Sequence, residues 1–310
     1  MRERMRNLLI SLLLVSTLGL PSRAKNNAGG FAGRWDFDVA SSSGVGANWL
    51  SVEEKSPADF EIWFQPTGGH VYQVKDYKLD GNHLVLNFGS GNSWDLTAAA
   101  GRLTGIEKRG SESRELTGVR APALRRKAPK DWTEPEALFN GKNLDGWEPI
   151  GDRAKSHWIV KDGLLVNEAH GANLKTTRSF EDFKLHFEVN CPDHANSGFY
   201  LRGRYEVQLE YEAENSEPPE RGMGSIYGRL APSSMLPRTP GQWDTFDVTL
   251  VGRNVTIVRN GITIIDNKEI AGITGGALNA DEGQPGPFYI QGDHTGGLLF
   301  RNITVAVPKK

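Results

Sequence analysis

The chain has 310 residues, 38% of them hydrophobic and 24% charged, and carries a formal net charge of −2. That length allows roughly two domains, and the near-neutral balance excludes a long-range field that would draw in nucleic acid or an anionic membrane. With 36 glycines and 8 tryptophans, the composition fits an all-β protein rich in turns and aromatic surfaces.

Arg2, Arg4 and Arg6 precede an apolar run from Leu8 to Leu20, and Ser22-Arg-Ala24 places small residues where a signal peptidase reads. The run is shorter than the roughly 20 residues of a comfortable membrane span. The pattern predicts a signal peptide over residues 1–24, cleaved near Ala24. It also predicts a bacterial protein that is periplasmic or extracellular and has no membrane segment once mature. An uncleaved N-terminal anchor is the alternative. Cys191 is the sole cysteine, so no intramolecular disulfide is expected. A catalytic thiol beside His194 and inert packing are its two readings.

Residues 30–118 read as a small antiparallel β domain, barrel-like or a sandwich. Trp35, Phe37 and Val39 alternate inward, and Phe60-Glu-Ile-Trp-Phe64 is a second strand. Runs at 71–78 and 84–88 flank Asp80-Gly-Asn82, a turn that needs positive φ. Further strands are expected around 94–96, 102–106 and 114–118. His70 and His83 read as turn residues, and no catalytic constellation shows here. Arg120 to Lys130 holds two prolines and five basic residues without periodicity, so 119–131 is predicted to be a linker.

Residues 132–310 read as strands that recur at sandwich-like spacing with turns between. Phe246, Val248 and Leu250 interleave with Thr245, Asp247 and Thr249, and Asn260-Gly261 is a strong hairpin signal. The most informative stretch is Asn196-Ser-Gly-Phe-Tyr-Leu-Arg-Gly-Arg-Tyr-Glu-Val-Gln-Leu-Glu-Tyr211. Tyr205, Val207, Leu209 and Tyr211 form an apolar row, opposed by Glu206, Gln208 and Glu210. Alternation on both sides of Gly203 predicts a hairpin with one core face and one polar face. The plain alternative is an ordinary solvated sheet face. Asn254-Val-Thr256 and Asn302-Ile-Thr304 match glycosylation acceptors, read here as coincidence.

Ordered blocks give a more specific signal. They are Leu138-Phe-Asn-Gly-Lys-Asn-Leu-Asp-Gly-Trp147, Trp158-Ile-Val-Lys-Asp-Gly-Leu-Leu-Val166 and Phe180-Glu-Asp-Phe-Lys-Leu-His-Phe-Glu188. Asn196-Ser-Gly198 with Arg202, Tyr205-Glu-Val-Gln-Leu209, Gly224-Ser-Ile-Tyr-Gly228, Gly241-Gln-Trp243 and Tyr289-Ile-Gln-Gly-Asp-His294 follow. Together they resemble the 3-keto-disaccharide hydrolase domain family over about 170 residues, just over half of the chain. The resemblance implies a concanavalin A/glucanase-like jelly roll, preceded here by the small β domain. The chain departs from the family pattern after Leu209, where Glu210-Tyr-Glu-Ala-Glu-Asn-Ser216 stands.

Glucanase-like chemistry needs two carboxyl groups about 5–5.5 Å apart for retention, or roughly 6.5–9.5 Å for inversion. Glu206 and Glu210 share a face, but at about 3.3 Å per residue their Cα atoms lie about 13 Å apart, so a retaining pair is not supported. The resemblance implies cleavage of a sugar already oxidised at C3. The ketone acidifies the C2 proton, one base removes it, and the enolate expels the C1 substituent, with or without later water addition. In this reading Glu206 is the base, Arg202 stabilises the enolate and His294 is the acid. Gln208, Tyr227, Tyr200, Gln291 and Asn196 contact the sugar, and Tyr227 is a second candidate acid. No cofactor is certain, and a divalent cation held by Glu206 and His294 stays open. Asp193 and His194 offer too few ligands of their own. Against this stand an Arg202–Glu206 ion pair, a plain turn histidine at His294, and core roles for Trp147, Trp158 and Trp243. A non-catalytic, lectin-like sugar-binding module is the alternative function. The expected partner is a small carbohydrate, with no nucleic acid.

Overall fold

The computed structural model describes residues 29–39, 46–56, 59–210 and 217–309. The signal-peptide reading falls on residues 1–24, outside the described residues, as does most of the stretch after Leu209 where the family pattern is lost. Among the described residues no helix is long and apolar enough to cross a membrane.

The protein is all-β. Among the described residues, nine strands between Gly33 and Arg120 form a single antiparallel sheet, in which the first strand, Gly33–Asp38, pairs with both Ala47–Ser56 and Glu112–Arg120. The sheet curls around Trp35, Phe37, Leu50, Ile62, Leu84, Trp94 and Leu96, all inaccessible to solvent. Phe64, Phe88 and Trp94 fill one end, their ring centroids 4.7–6.2 Å apart. The two end strands of the sheet, Tyr72–Val74 and Tyr77–Asp80, are not paired with each other. The predicted turn is there: Asp80 pairs with His83, and Gly81 takes φ +60°. Two details differ from expectation. Ala47–Ser56 is a strand that the sequence reading passed over, and the run at 71–78 breaks between Tyr72–Val74 and Tyr77–Asp80.

The remaining strands form a sandwich of two antiparallel sheets, one eight-stranded and one five-stranded. The larger sheet supplies Phe183, Leu185, Phe187, Val189, Phe246, Val248 and Leu250 to the core. Asn260-Gly261 makes the expected two-residue hairpin, with φ +51° and +77° and Arg259 paired to Ile262. The smaller sheet runs Trp147–Pro149, Leu174–Thr176, Tyr289–Ile290, Asn196–Leu201, Tyr205–Glu210 across its width. Its inner row, Leu174, Ile290, Phe199 and Val207, is fully buried in the core. Phe187 stacks on both Phe199 and Phe246, at 4.4 and 5.0 Å, which ties the two sheets together. Trp147 and Trp158 belong to this core, while Trp243 is half-buried under Arg301.

The two units share a packed boundary. Ala47 and Trp49 join the core of the sandwich, and a Cβ on Gly272 would fall 2.2 Å from Trp49 Nε1, so only glycine allows that approach. Arg34 pairs with Glu269, and Asp38 accepts from the Ala280 amide at 2.8 Å. Buried at the same boundary is Asp36, whose two oxygens lack an ordinary donor. Burial, and then neighbouring Glu282, push its carboxyl up to about 9, so Asp36 is held protonated at neutral pH.

Candidate active site

The outer row of the five-stranded sheet is polar across its whole width. Register aligns Glu148, Lys175, Tyr289, Tyr200 and Glu206 side by side. The next row pairs Gly198 with Gln208, and the last pairs Asn196 with Glu210. Both strands of the Asn196–Leu201/Tyr205–Glu210 hairpin are buried on both faces, Asn196 alone being half-buried. The polar face is therefore roofed, and the ordinary solvated face considered from sequence is not what forms.

Three segments make the roof. Residues 224–227 run along the outer edge, where the Tyr227 amide donates to Glu206 O at 3.1 Å and the Gln208 amide donates to Ser225 O at 3.0 Å. Residues 273–277 lie over the tyrosines: the Glu206 amide donates to Thr274 Oγ1, Tyr289 OH donates to Gly276 O, and a Cβ on Gly276 would sit 2.1 Å from Tyr200 OH. The third segment is the loop from Gln291 to Gly297, anchored by Asn173, which accepts from the Gly292 amide at 2.7 Å.

Glu206 sits at the centre of this face, 4% exposed. Tyr200 OH donates to its Oε2 at 2.7 Å, and Gln291 Nε2 donates to Tyr200 OH at 3.0 Å. Tyr200 and Tyr289 stack at 3.9 Å. Space for the carboxylate comes from Gly198, where a Cβ would lie 2.3 Å from Glu206 Oε1. Burial pushes Glu206 up to about 7, opposed by the Tyr200 hydrogen bond and by the charge of His294. His294 is the exposed member, braced by Asp293, whose Oδ1 lies 2.9 Å from Nδ1. That carboxylate raises the imidazole pKa against the effect of burial, and His294 in turn helps hold Asp293 below its usual range.

Gln208 donates to Glu210 Oε2 at 3.2 Å and to Asn196 Oδ1 at 3.4 Å, while Arg238 faces Glu210 Oε1 at 3.5 Å. Glu210 is thus engaged away from Glu206, in line with the argument against a retaining pair. Gln208 Oε1 and Gln291 Oε1 are buried acceptors without partners, as a face that receives hydroxyl donors would present. Burial raises the Tyr227 pKa, which the Glu206 charge raises further and neighbouring Arg221 lowers.

The fold thus gathers Glu206, His294, Gln208, Tyr227, Tyr200, Gln291 and Asn196. Arg202 is the exception and corrects the expectation. It occupies the hairpin turn at φ +52°, ahead of Gly203 at φ +68°, where the alternation of the strand has already ended. Its Nη2 donates to Tyr205 OH at 3.0 Å and to Glu282 O at 2.9 Å, on the apolar side of the strand. Arg202 therefore neither stabilises charge at Glu206 nor pairs with it. Tyr289 and Asp293 are site residues that the sequence reading did not single out. The carboxylate next to His294 was the available signal for Asp293, whereas the roof at 273–277 left none.

Among the described residues, no three His, Cys, Asp or Glu side chains converge as a cation site. Glu206 and His294 supply two of the three or four protein ligands usual for a zinc-type centre, so the donor set does not fit one. Asp193 and His194 lie 3.7 Å apart on an exposed turn. The Cys191 thiol is buried and pushed up to about 12 by desolvation, which makes it packing and not a nucleophile.

Comparison with known proteins adds an independent line. A crystal structure of a candidate glycosyl hydrolase from Parabacteroides distasonis is 26% identical to the chain and matches 58% of it and 92% of its own length, with a TM-score of 0.50. A second from the same organism is 20% identical over 57% of this chain and 94% of its own, with a TM-score of 0.46. No curated protein matches the chain. The family model described as a 3-keto-alpha-glucoside-1,2-lyase-like domain matches residues 134–306. The chain belongs to that family, and its carbohydrate-active domain is the sandwich that carries the Glu206 face.

Proposed function

We propose that the protein is an exported enzyme that cleaves the glycosidic bond of 3-keto-glycosides, its residues 1–24 serving as the signal peptide. The observation that carries this reading is the buried Glu206 carboxyl, hydrogen-bonded by Tyr200 and facing the His294–Asp293 pair on a roofed polar face. A base with a pKa near the working pH abstracts protons best, and Glu206 stands at about 7. Glu206 takes the C2 proton, the C2–H electrons form the enolate of the C3 ketone, and their return expels the C1 oxygen. His294, protonated and held by Asp293, gives its proton to that oxygen. Tyr227, on the segment beside Glu206 and next to Arg221, supplies the hydrogen bond to the enolate that Arg202 does not. Gln208, Gln291 and Asn196 position the ring hydroxyls. Water addition to the unsaturated product turns elimination into net hydrolysis.

The test is incubation of the mature protein with a 3-keto-glucoside bearing a reporter aglycone, with and without EDTA. Release that persists in EDTA is expected, because the steps above rest on Glu206 and His294 and, among the described residues, no three His, Cys, Asp or Glu side chains converge there. Saturable sugar binding without release would make the domain a lectin-like module, and loss of release in EDTA would recast both residues as metal ligands.

The pH dependence follows from the same pair. Activity needs Glu206 ionised and His294 protonated, so it falls below about pH 7 on the acid side. On the alkaline side it falls above the ordinary imidazole value, because Asp293 raises His294. The two limbs belong to the coupled pair. Asp293→Asn removes the anion that favours imidazolium, so the alkaline limb of kcat/KM should move to lower pH. An alkaline limb that stays in place would remove His294 from the acid role.

A further inference from the structure

We propose that the N-terminal β unit forms one wall of the substrate cleft, and that the loop carrying Thr67 and Gly68 sets which substrates fit. The inference rests on the reading of the Glu206–His294 face as the reacting centre. A cavity of about 290 Å³ lies between Gly46, Thr67 and Gly68 on one side and Asn173, Tyr289 and Gln291 on the other. The first three residues fall outside the matched region 134–306, so the wall is an addition to the family domain.

The wall is built into the fold. The Gly68 amide donates to Gly275 O at 2.8 Å, and the Gly46 amide donates to Leu278 O at 3.1 Å. Both acceptors lie on the segment that continues the roof over Tyr200 and Tyr289. The Thr67 amide donates to Asn48 Oδ1 at 2.7 Å, and Thr67 Oγ1 donates to Ala47 O at 2.8 Å. Gln65 Nε2 clasps the loop by donating to Pro66 O and Gly69 O. A Cβ on Gly275 would fall 2.0 Å from Gly69 O, so only glycine lets the two units meet this closely.

The floor of the cavity points to a sugar ligand. Gln291 is 8% exposed, and its buried Oε1 has no partner. Its Nε2 donates to Tyr200 OH, which donates to Glu206, so the cavity begins two hydrogen bonds from the base. Glycine lines much of the remainder, so no side chain stands between the backbone and a ring placed there. Glu206 and His294 do not line it. The reacting ring therefore lies over those two residues, and the cavity takes the part of the substrate beyond the bond cleaved, a second sugar ring.

The test uses the full-length protein and unoxidised sugars, so that its outcome is separate from turnover. Glucose and a glucosyl disaccharide are titrated calorimetrically into the parent, Thr67→Trp and Thr67→Met. The parent should bind the disaccharide more tightly than glucose. Filling the cavity should weaken disaccharide binding about tenfold or more, roughly 1.4 kcal/mol or above, and leave glucose nearly unchanged. Thr67→Met reports the same effect with a flexible chain if the indole perturbs folding. Equal disaccharide affinity in the parent and a folded Thr67 variant would overturn the proposal, as would a parent that prefers glucose or binds neither sugar. A parent that shows the expected pattern yet cleaves no 3-keto-glycoside would overturn the catalytic reading and leave the wall in place.

Discussion

Replacing Glu206 by glutamine should lower kcat/KM toward a 3-keto-glycoside by about 10²–10⁴-fold, the range a general base contributes, while making the fold more stable at alkaline pH. The two effects have one cause. The carboxyl rises from 4.5 to about 7 on folding because it is buried. A raised acid favours the folded state fully below its unfolded pKa, and that support is lost as pH climbs through about 7. At about 1.4 kcal/mol per unit, the ionised carboxylate costs the fold up to about 3 kcal/mol. Glutamine keeps the shape and the acceptor for Tyr200 OH without a charge. Urea denaturation should therefore show Glu206→Gln on the order of 2–3 kcal/mol more stable than the parent at pH 9, and nearly equal at pH 4. Such a gain in stability with loss of turnover is the trade-off expected of a catalytic residue. Retained turnover would remove Glu206 from the base role, and an unchanged stability difference across that pH range would show that the carboxyl is not perturbed.

The largest loss of stability is expected at Glu282, which has no exposed surface. Arg253 Nη2 donates to its Oε2, Tyr205 OH donates to its Oε1 at 2.7 Å, and Arg202 Nη2 donates to its backbone oxygen. Glu282→Gln leaves the Arg253 guanidinium buried without an anion, and breaking a buried pair in this way costs about 3–5 kcal/mol. The response should be coupled to Asp36, held protonated by burial and by Glu282. With Glu282 neutral, Asp36 can ionise and replace part of the lost charge. Adding Asp36→Asn should then cost more in the Glu282→Gln background than in the parent, a non-additivity that a double-mutant cycle in urea measures. A Glu282→Gln variant as stable as the parent would show that Arg253 finds another partner or water. Because Asp36 and Glu282 sit on opposite sides of the boundary, the cycle also reports on the joint between the two units.

The alternation of Tyr205, Val207 and Leu209 with Glu206, Gln208 and Glu210 correctly assigned one row to the core and the other to a polar face, because side-chain direction in a strand has a period of two. Asn260-Gly261 was legible as a hairpin for a similarly local reason: both residues tolerate the positive φ that the turn requires. The ordered blocks from Leu138 to His294 were enough to name the family. Arg202 departs from the alternating pattern. Periodicity holds only while the strand lasts, and the turn at Arg202-Gly203 rotated the guanidinium to Tyr205 and Glu282.

Tertiary structure alone decided the rest. Whether a polar sheet face is solvated or roofed depends on what lies over it. Here 224–227, 273–277 and 291–297 lie over it, and the Thr67 loop packs on the second of these. Burial, not residue type, raises Glu206 to about 7, and a desolvation that comes from the roof leaves no mark in the local pattern of the strand. Asp36 is a second case: it and Glu282, two acids 246 positions apart, come together only when the β unit docks on the sandwich. The sequence by itself determined most of the strands, their inward rows and the family, because these follow from local periodicity and motif order. The depth of the carboxylate, the company of His294 and the wall contributed by the N-terminal unit follow from long-range packing.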